Sequence, residues 1–130
     1  MPYKTIISEE DLKNNIDNKD FIIFDSRCDI KDRGYGIDSY TEGHIPNSIF
    51  VDVDTDLASE KQPGTGRHPL PNVETFCDKL SHWGMDNNKQ AVIYDDAGGA
   101  FAGRMWWMLK WLGHENVAVL DGGLNSWVKN

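Results

Sequence analysis

The chain is poor in the residues that make several function classes easy to assign. It has two cysteines, Cys28 and Cys77, and 4 histidines in 130 residues. One disulfide at most is possible, and nothing around either residue demands it, so both are read as reduced thiols. No Cys/His cluster has zinc-ligand spacing, and no metal or cofactor is expected. Basic residues are scarce: 13 Lys and Arg stand against 21 Asp and Glu, a net charge of −8. That balance argues against nucleic acid or an anionic membrane surface as a main partner. No run approaches the ~20 apolar residues of a membrane span. The opening MPYKTIISEEDLK lacks an apolar signal core. The cytoplasm is therefore the default compartment.

What is present is an alternation of strands and helices across a single domain, 1–130. Ser8-Glu9-Glu10-Asp11 resembles a capping box and predicts a short helix through about Asn15. Residues 21–24, FIIF, are a continuous apolar run ending in Asp25, the pattern of a strand buried on both faces. Residues 28–37 read as loop because of their glycines, and 38–43 as one helical turn. Strands follow at 48–53, 90–94 and 117–120. Helices are expected at 73–83, 101–112 and 124–128. Phe101, Met105, Met108, Leu109 and Leu112 share one face of the second of these, and Trp107 and Trp111 share another. A helix apolar nearly all round is buried or covered by something else. The fold class is α/β, a mostly parallel central sheet with helices on both faces.

In such sheets, ligands sit beyond the C-terminal ends of the strands. Three segments fall there: 25–28, 95–100 and 121–123. The most informative is the strand–loop–helix AVIYDDAGGAFAGR, residues 91–104. Gly98 and Gly99 let successive N–H groups turn toward one centre, an anion nest backed by a helix N-terminus. The loop Asp95, Asp96, Ala97, Gly98, Gly99, Ala100, Phe101 contains no Cys, Ser, Lys or His. Asp95 is thus either a nucleophile or metal ligand, or a carboxylate that fills the nest and caps the helix.

The other candidates are fewer. Arg27 stands on a loop at the strand ends, and Cys28 beside it is a possible reactive thiol. Cys77 lies inside a helix. Arg104 pairs with Asp95, Asp25 or another carboxylate, or binds substrate. His44 reads as structural, with Glu42 a possible partner. Arg67 and His68 lie in GTGRHPLP, residues 64–71, either a rigid loop or an interface.

Together these motifs resemble the rhodanese superfamily of sulfurtransferases. Asp25-Ser26-Arg27 is similar to its Asp-x-Arg signature. Glu42-Gly43-His44-Ile45-Pro46-Asn47-Ser48 resembles its Gly-His-Ile-Pro-Gly-Ala motif, with Asn47 and Ser48 in place of Gly and Ala. The stretch VLDGGLNSW, residues 119–127, resembles its C-terminal signature. The finer resemblance, through residues 94–114 and GTGRHPLP, is to the N-terminal half of tandem thiosulfate or 3-mercaptopyruvate sulfurtransferases. The resemblance implies a three-layer rhodanese-like fold. It also implies that Asp95 stands where the family's persulfide-forming cysteine would be, and that this chain alone is inactive. The partner would be a C-terminal catalytic rhodanese domain following Asn130, with a small sulfur donor bound in the whole protein. Arg27, Cys28 and the loop from Asp95 to Phe101 would then shape the interdomain cleft. Two other readings stay open: a stand-alone binding or regulatory module, and a sulfurtransferase that uses Cys28. A phosphatase would need Cys-x5-Arg, which Asp95 and Phe101 match at neither end.

Overall fold

The computed structural model describes residues 3–29, 31–32, 34–53, 56–57, 72–86 and 88–129. Arg67, His68 and the rest of 64–71 lie outside them. The sheet has five parallel strands: β1 (Ile6–Ile7), β2 (Phe21–Asp25), β3 (Ser48–Phe50), β4 (Gln90–Tyr94) and β5 (Val117–Leu120), in the spatial order β1-β5-β4-β2-β3. The helices are α1 (Glu9–Asn14), α2 (Tyr35–Glu42), α3 (Val73–His82), α4 (Ala102–Trp111) and α5 (Gly123–Lys129).

The central strands are apolar on both sides because both faces are covered. Ile22, Phe24, Ala91, Ile93 and Val117 point to one face, where Phe76 and Leu80 of α3 and Met105, Met108 and Leu109 of α4 meet them. Ile23, Val92, Tyr94, Ala118 and Leu120 point to the other, against Leu12 of α1 and Leu124 and Trp127 of α5. The period-two alternation along each strand divides the two layers. Burial of a side chain such as Phe24 or Phe76, each fully enclosed, contributes about 1.5–3 kcal/mol. No helix among the described residues is long and apolar enough to cross a membrane.

Caps fix the helix starts. Ser8 accepts from the Asp11 N–H at 3.1 Å, an N-cap that supplies one of the two bonds of the expected capping box. Asn72 accepts from Glu74 and Thr75 to open α3.

Three expectations are corrected. β1 was not anticipated; it is held on the sheet edge by Val119 N–H donating to Thr5 and Asp121 N–H donating to Ile7. The strand expected at 48–53 ends at Phe50. The single helical turn expected at 38–43 starts earlier, inside the expected loop, and is a helix of 8 residues, α2 (Tyr35–Glu42). Gly36 is the reason for the misreading. A Cβ there would stand 2.3 Å from the Arg27 carbonyl oxygen, so the glycine serves close packing of α2 on the 25–28 segment rather than a turn.

Candidate functional site

The parallel register brings Asp25, Phe50 and Tyr94 level at the C-terminal end of the sheet, and the loops that leave this end build two features.

The first is the Asp95 loop. The Asp95 carboxylate is 1% exposed and accepts four backbone N–H bonds. Oδ1 takes those of Ala97 and Gly99, both at 3.0 Å, and Oδ2 those of Phe101 at 2.9 Å and Ala102 at 2.8 Å. The last two are donors at the start of α4, which no intrahelical carbonyl can reach. The nest is therefore filled from within the chain. Ala97, Gly98 and Ala100 lie exposed above it. Asp96 accepts a hydrogen bond from the Tyr35 hydroxyl, tying the loop to α2; that bond, then burial, raises the Tyr35 pKa.

The loop is also pinned from below. The Asp95 carbonyl accepts from Leu124 N–H at 3.0 Å. Gly123 has φ +60°, and a Cβ on it would lie 2.7 Å from that same oxygen. Gly123→Ala is expected to lower stability by about 2 kcal/mol through this overlap and the left-handed backbone. Gly103, on α4 with open space around its missing Cβ, is the contrast: Gly103→Ala is expected to add about 0.5–1 kcal/mol. Urea midpoints of the two variants check this, and a Gly123→Ala midpoint equal to that of the parent chain would exclude the packing argument.

The second feature is a buried polar network joining the 25–27 and 42–48 motifs. Asp25 is fully buried. Its Oδ2 accepts from Arg27 Nη2 at 2.7 Å, Arg27 Nε at 3.0 Å and the Tyr94 hydroxyl at 2.8 Å. Its Oδ1 accepts from the Arg27 backbone N–H at 3.0 Å. Arg27 Nη2 also donates to the Gly43 carbonyl at 2.7 Å. Tyr94 Oη accepts from Ile45 N–H at 3.2 Å and from the Ser48 hydroxyl at 3.1 Å. Burial, then the charge of Asp25, pushes the Tyr94 pKa up, so the hydroxyl keeps its proton and donates a hydrogen bond to Asp25. Burial works against the Arg27 charge, but the hydrogen bonds and charge of Asp25 outweigh it and its pKa is raised.

The candidates thus divide. Asp95 to Phe101 share one loop. Arg27 instead lines a cleft of about 470 Å³ between α2 and α5, whose lining includes none of those loop residues. Cys28 is half-buried and packs, like Phe101, against the core beneath α3 and α4. Cys77 is exposed on α3. Arg104 pairs with neither Asp95 nor Asp25. Its Nε and Nη2 donate to the Leu57 carbonyl at 3.0 and 2.7 Å, and burial lowers its pKa. His44 Nδ1 donates to the Tyr40 carbonyl at 2.7 Å and its ring stacks on Tyr40, so its bond is to the helix and not to Glu42. Sequence reasoning missed Tyr94 and Tyr35. A tyrosine at the end of a fully buried strand was the available signal, because its hydroxyl must find a partner there.

Comparison with known proteins agrees with this architecture. The Rhodanese-like domain family matches residues 8–130. A probable 3-mercaptopyruvate sulfurtransferase of Pseudomonas aeruginosa is 41% identical over 124 residues, covering 94% of this chain and 44% of the relative. The solved 3-mercaptopyruvate sulfurtransferase from Leishmania major superposes with a TM-score of 0.86 at 32% identity, covering 94% of this chain and 33% of that one. The structure of SseA from Escherichia coli, described as a 3-mercaptopyruvate sulfotransferase with the rhodanese fold, gives 0.84 at 30% identity, covering 98% and 48%. The chain spans less than half the length of these relatives. The match across nearly all of the chain, on a five-stranded parallel sheet with helices on both faces, places it in the rhodanese family.

Proposed function

We propose that this chain is the non-catalytic, N-terminal half of a tandem thiosulfate or 3-mercaptopyruvate sulfurtransferase. In this reading Asp95 occupies the position of the sulfur-carrying cysteine. The observation that carries it is the Asp95 nest. A thiolate nucleophile needs donors that stabilise negative charge on sulfur. Here the four donors are satisfied by a carboxylate. The 95–101 loop offers no thiol, hydroxyl or amine to replace it. A carboxylate cannot carry sulfane sulfur as a persulfide does.

The transfer then belongs to a second rhodanese-like half, whose thiolate takes sulfur from the donor and passes it to cyanide or a thiol. This half supplies a wall. Trp107 and Trp111 on α4 are 49% and 42% exposed and stack with ring centres 6.0 Å apart. Two large apolar side chains side by side on a surface form a contact for another protein surface. The relatives, more than twice this chain's length, are consistent with such a second half.

The test is a sulfurtransferase assay on this chain alone, with thiosulfate and cyanide and with 3-mercaptopyruvate and a thiol. The expected result is no turnover above the protein-free rate, for the parent chain and for Cys28→Ser alike. Turnover abolished by Cys28→Ser would overturn the proposal in favour of Cys28 as the sulfur carrier.

A further inference from the structure

The cleft between α2 and α5 has no part in the reading above, and its volume of about 470 Å³ falls within the range of small-molecule sites (~300–1,000 Å³). One wall holds Arg27, a side chain 6% exposed. The guanidinium binds through one edge. Nε reaches both Asp25 oxygens, and Nη2 reaches Asp25 Oδ2 and the Gly43 carbonyl. Nη1 has no acceptor among the described residues. Yet it is not one of the buried polar atoms sealed from solvent without a partner. The little surface Arg27 retains therefore opens on the cleft that it lines. Its Nη1 edge is a pair of N–H donors, rigidly oriented because Asp25 grips the opposite edge. The facing wall is apolar: Leu124, Trp127 and Val128 of α5. Glu42, exposed at the rim, is the acidic member of the lining.

We propose that this cleft binds a small monocarboxylate, its carboxylate on the Nη1 edge of Arg27 and its apolar body against Leu124, Trp127 and Val128. The buried donors need an acceptor when solvent is displaced, so the head group must accept hydrogen bonds. The apolar wall selects against a bare inorganic anion. Because Asp25 shares the charge of Arg27, and Glu42 opposes an anion, the expected affinity is millimolar. The site does not depend on whether the Asp95 loop is catalytic.

The experiment is a titration of the ¹⁵N-labelled full chain with benzoate, with benzamide as its uncharged counterpart, at constant ionic strength. The expected result is saturable shifts of the Gly43, His44 and Leu124 amides and the Trp127 indole with benzoate and none with benzamide. Two exposed positions tune it without touching the Asp25–Arg27 pair. Glu42→Gln removes an opposing charge and is expected to tighten binding about threefold, and Val128→Asp adds one and weakens it about threefold. Shifts that fail to saturate by about 100 mM would overturn the proposal. So would an equal response to benzamide, shifts centred on the Asp95 loop instead of the cleft, or an affinity unmoved by both substitutions.

Discussion

Arg27→Met is expected to lower the unfolding free energy by about 3–5 kcal/mol. The reason is what it leaves behind. Asp25 is fully buried and receives its side-chain hydrogen bonds from Arg27 and Tyr94. Methionine fills much of the same volume and supplies no donor. A buried carboxylate would then face an apolar side chain, with one tyrosine hydroxyl and one backbone N–H as support. The Gly43 carbonyl also loses its partner, which loosens the 43–48 segment where it enters β3. For a domain whose total stability is on the order of 5–15 kcal/mol, this is a large share of the margin. The double variant Arg27→Met/Asp25→Leu separates the pair from the packing around it. Removing both charges also removes the desolvation that each imposed, so the double variant is expected to recover more than half of the loss. Urea unfolding followed by circular dichroism measures both. A single variant within about 1 kcal/mol of the parent chain, or a double variant no better than the single, would show that the pair does not hold the site together.

The Asp25–Arg27 pairing is legible in the sequence. Asp25 and Arg27 are two residues apart at the end of an extended segment, so their side chains leave the same side of the chain. A charged pair that follows a doubly buried strand is itself drawn into the interior. Arg27, expected on a loop at the strand ends, is gripped along one edge by Asp25. The layers were more legible. The runs at 21–24 and 90–94 and the stripe Met105, Met108 and Leu109 carry their periodicity openly, and the structure buries those residues. Trp107 and Trp111 were separable from that stripe by helical spacing alone, and they are the side that stays exposed. What sequence could not display was structure that depends on distant partners. β1 is 2 residues long, too short for any period, and exists because β5 offers it hydrogen-bonding partners. α2 was obscured by Gly36, whose purpose is visible only when the Arg27 carbonyl is placed against it.

Asp95→Ala is expected to cost about 2–4 kcal/mol, and formate is expected to restore part of it. Four N–H donors converge on a carboxylate with almost no exposure. Hydrogen bonds to a charged acceptor are the strong ones, and leaving their donors unmet carries most of the penalty. Water reaching the loop through Ala97, Gly98 and Ala100 keeps the loss below the sum of four separate bonds. Asn at 95 is nearly isosteric, yet it is expected to be little better than Ala. Its amide oxygen can serve one pair of donors, but its NH₂ group then points at the other pair. Formate is the carboxylate that the alanine variant lacks. If the nest survives the substitution, the anion binds the folded state and not the unfolded one. At a concentration about ten times its dissociation constant it adds about 1.4 kcal/mol. The melting temperature of Asp95→Ala should therefore rise with formate, at constant ionic strength, while that of the parent chain does not, because its own carboxylate holds the place. A variant that melts with the parent chain would mean that the four contacts contribute nothing. A destabilised variant indifferent to formate would mean that the donors do not stay converged without Asp95, and that the nest is a product of the carboxylate instead of a cradle the backbone makes for an anion.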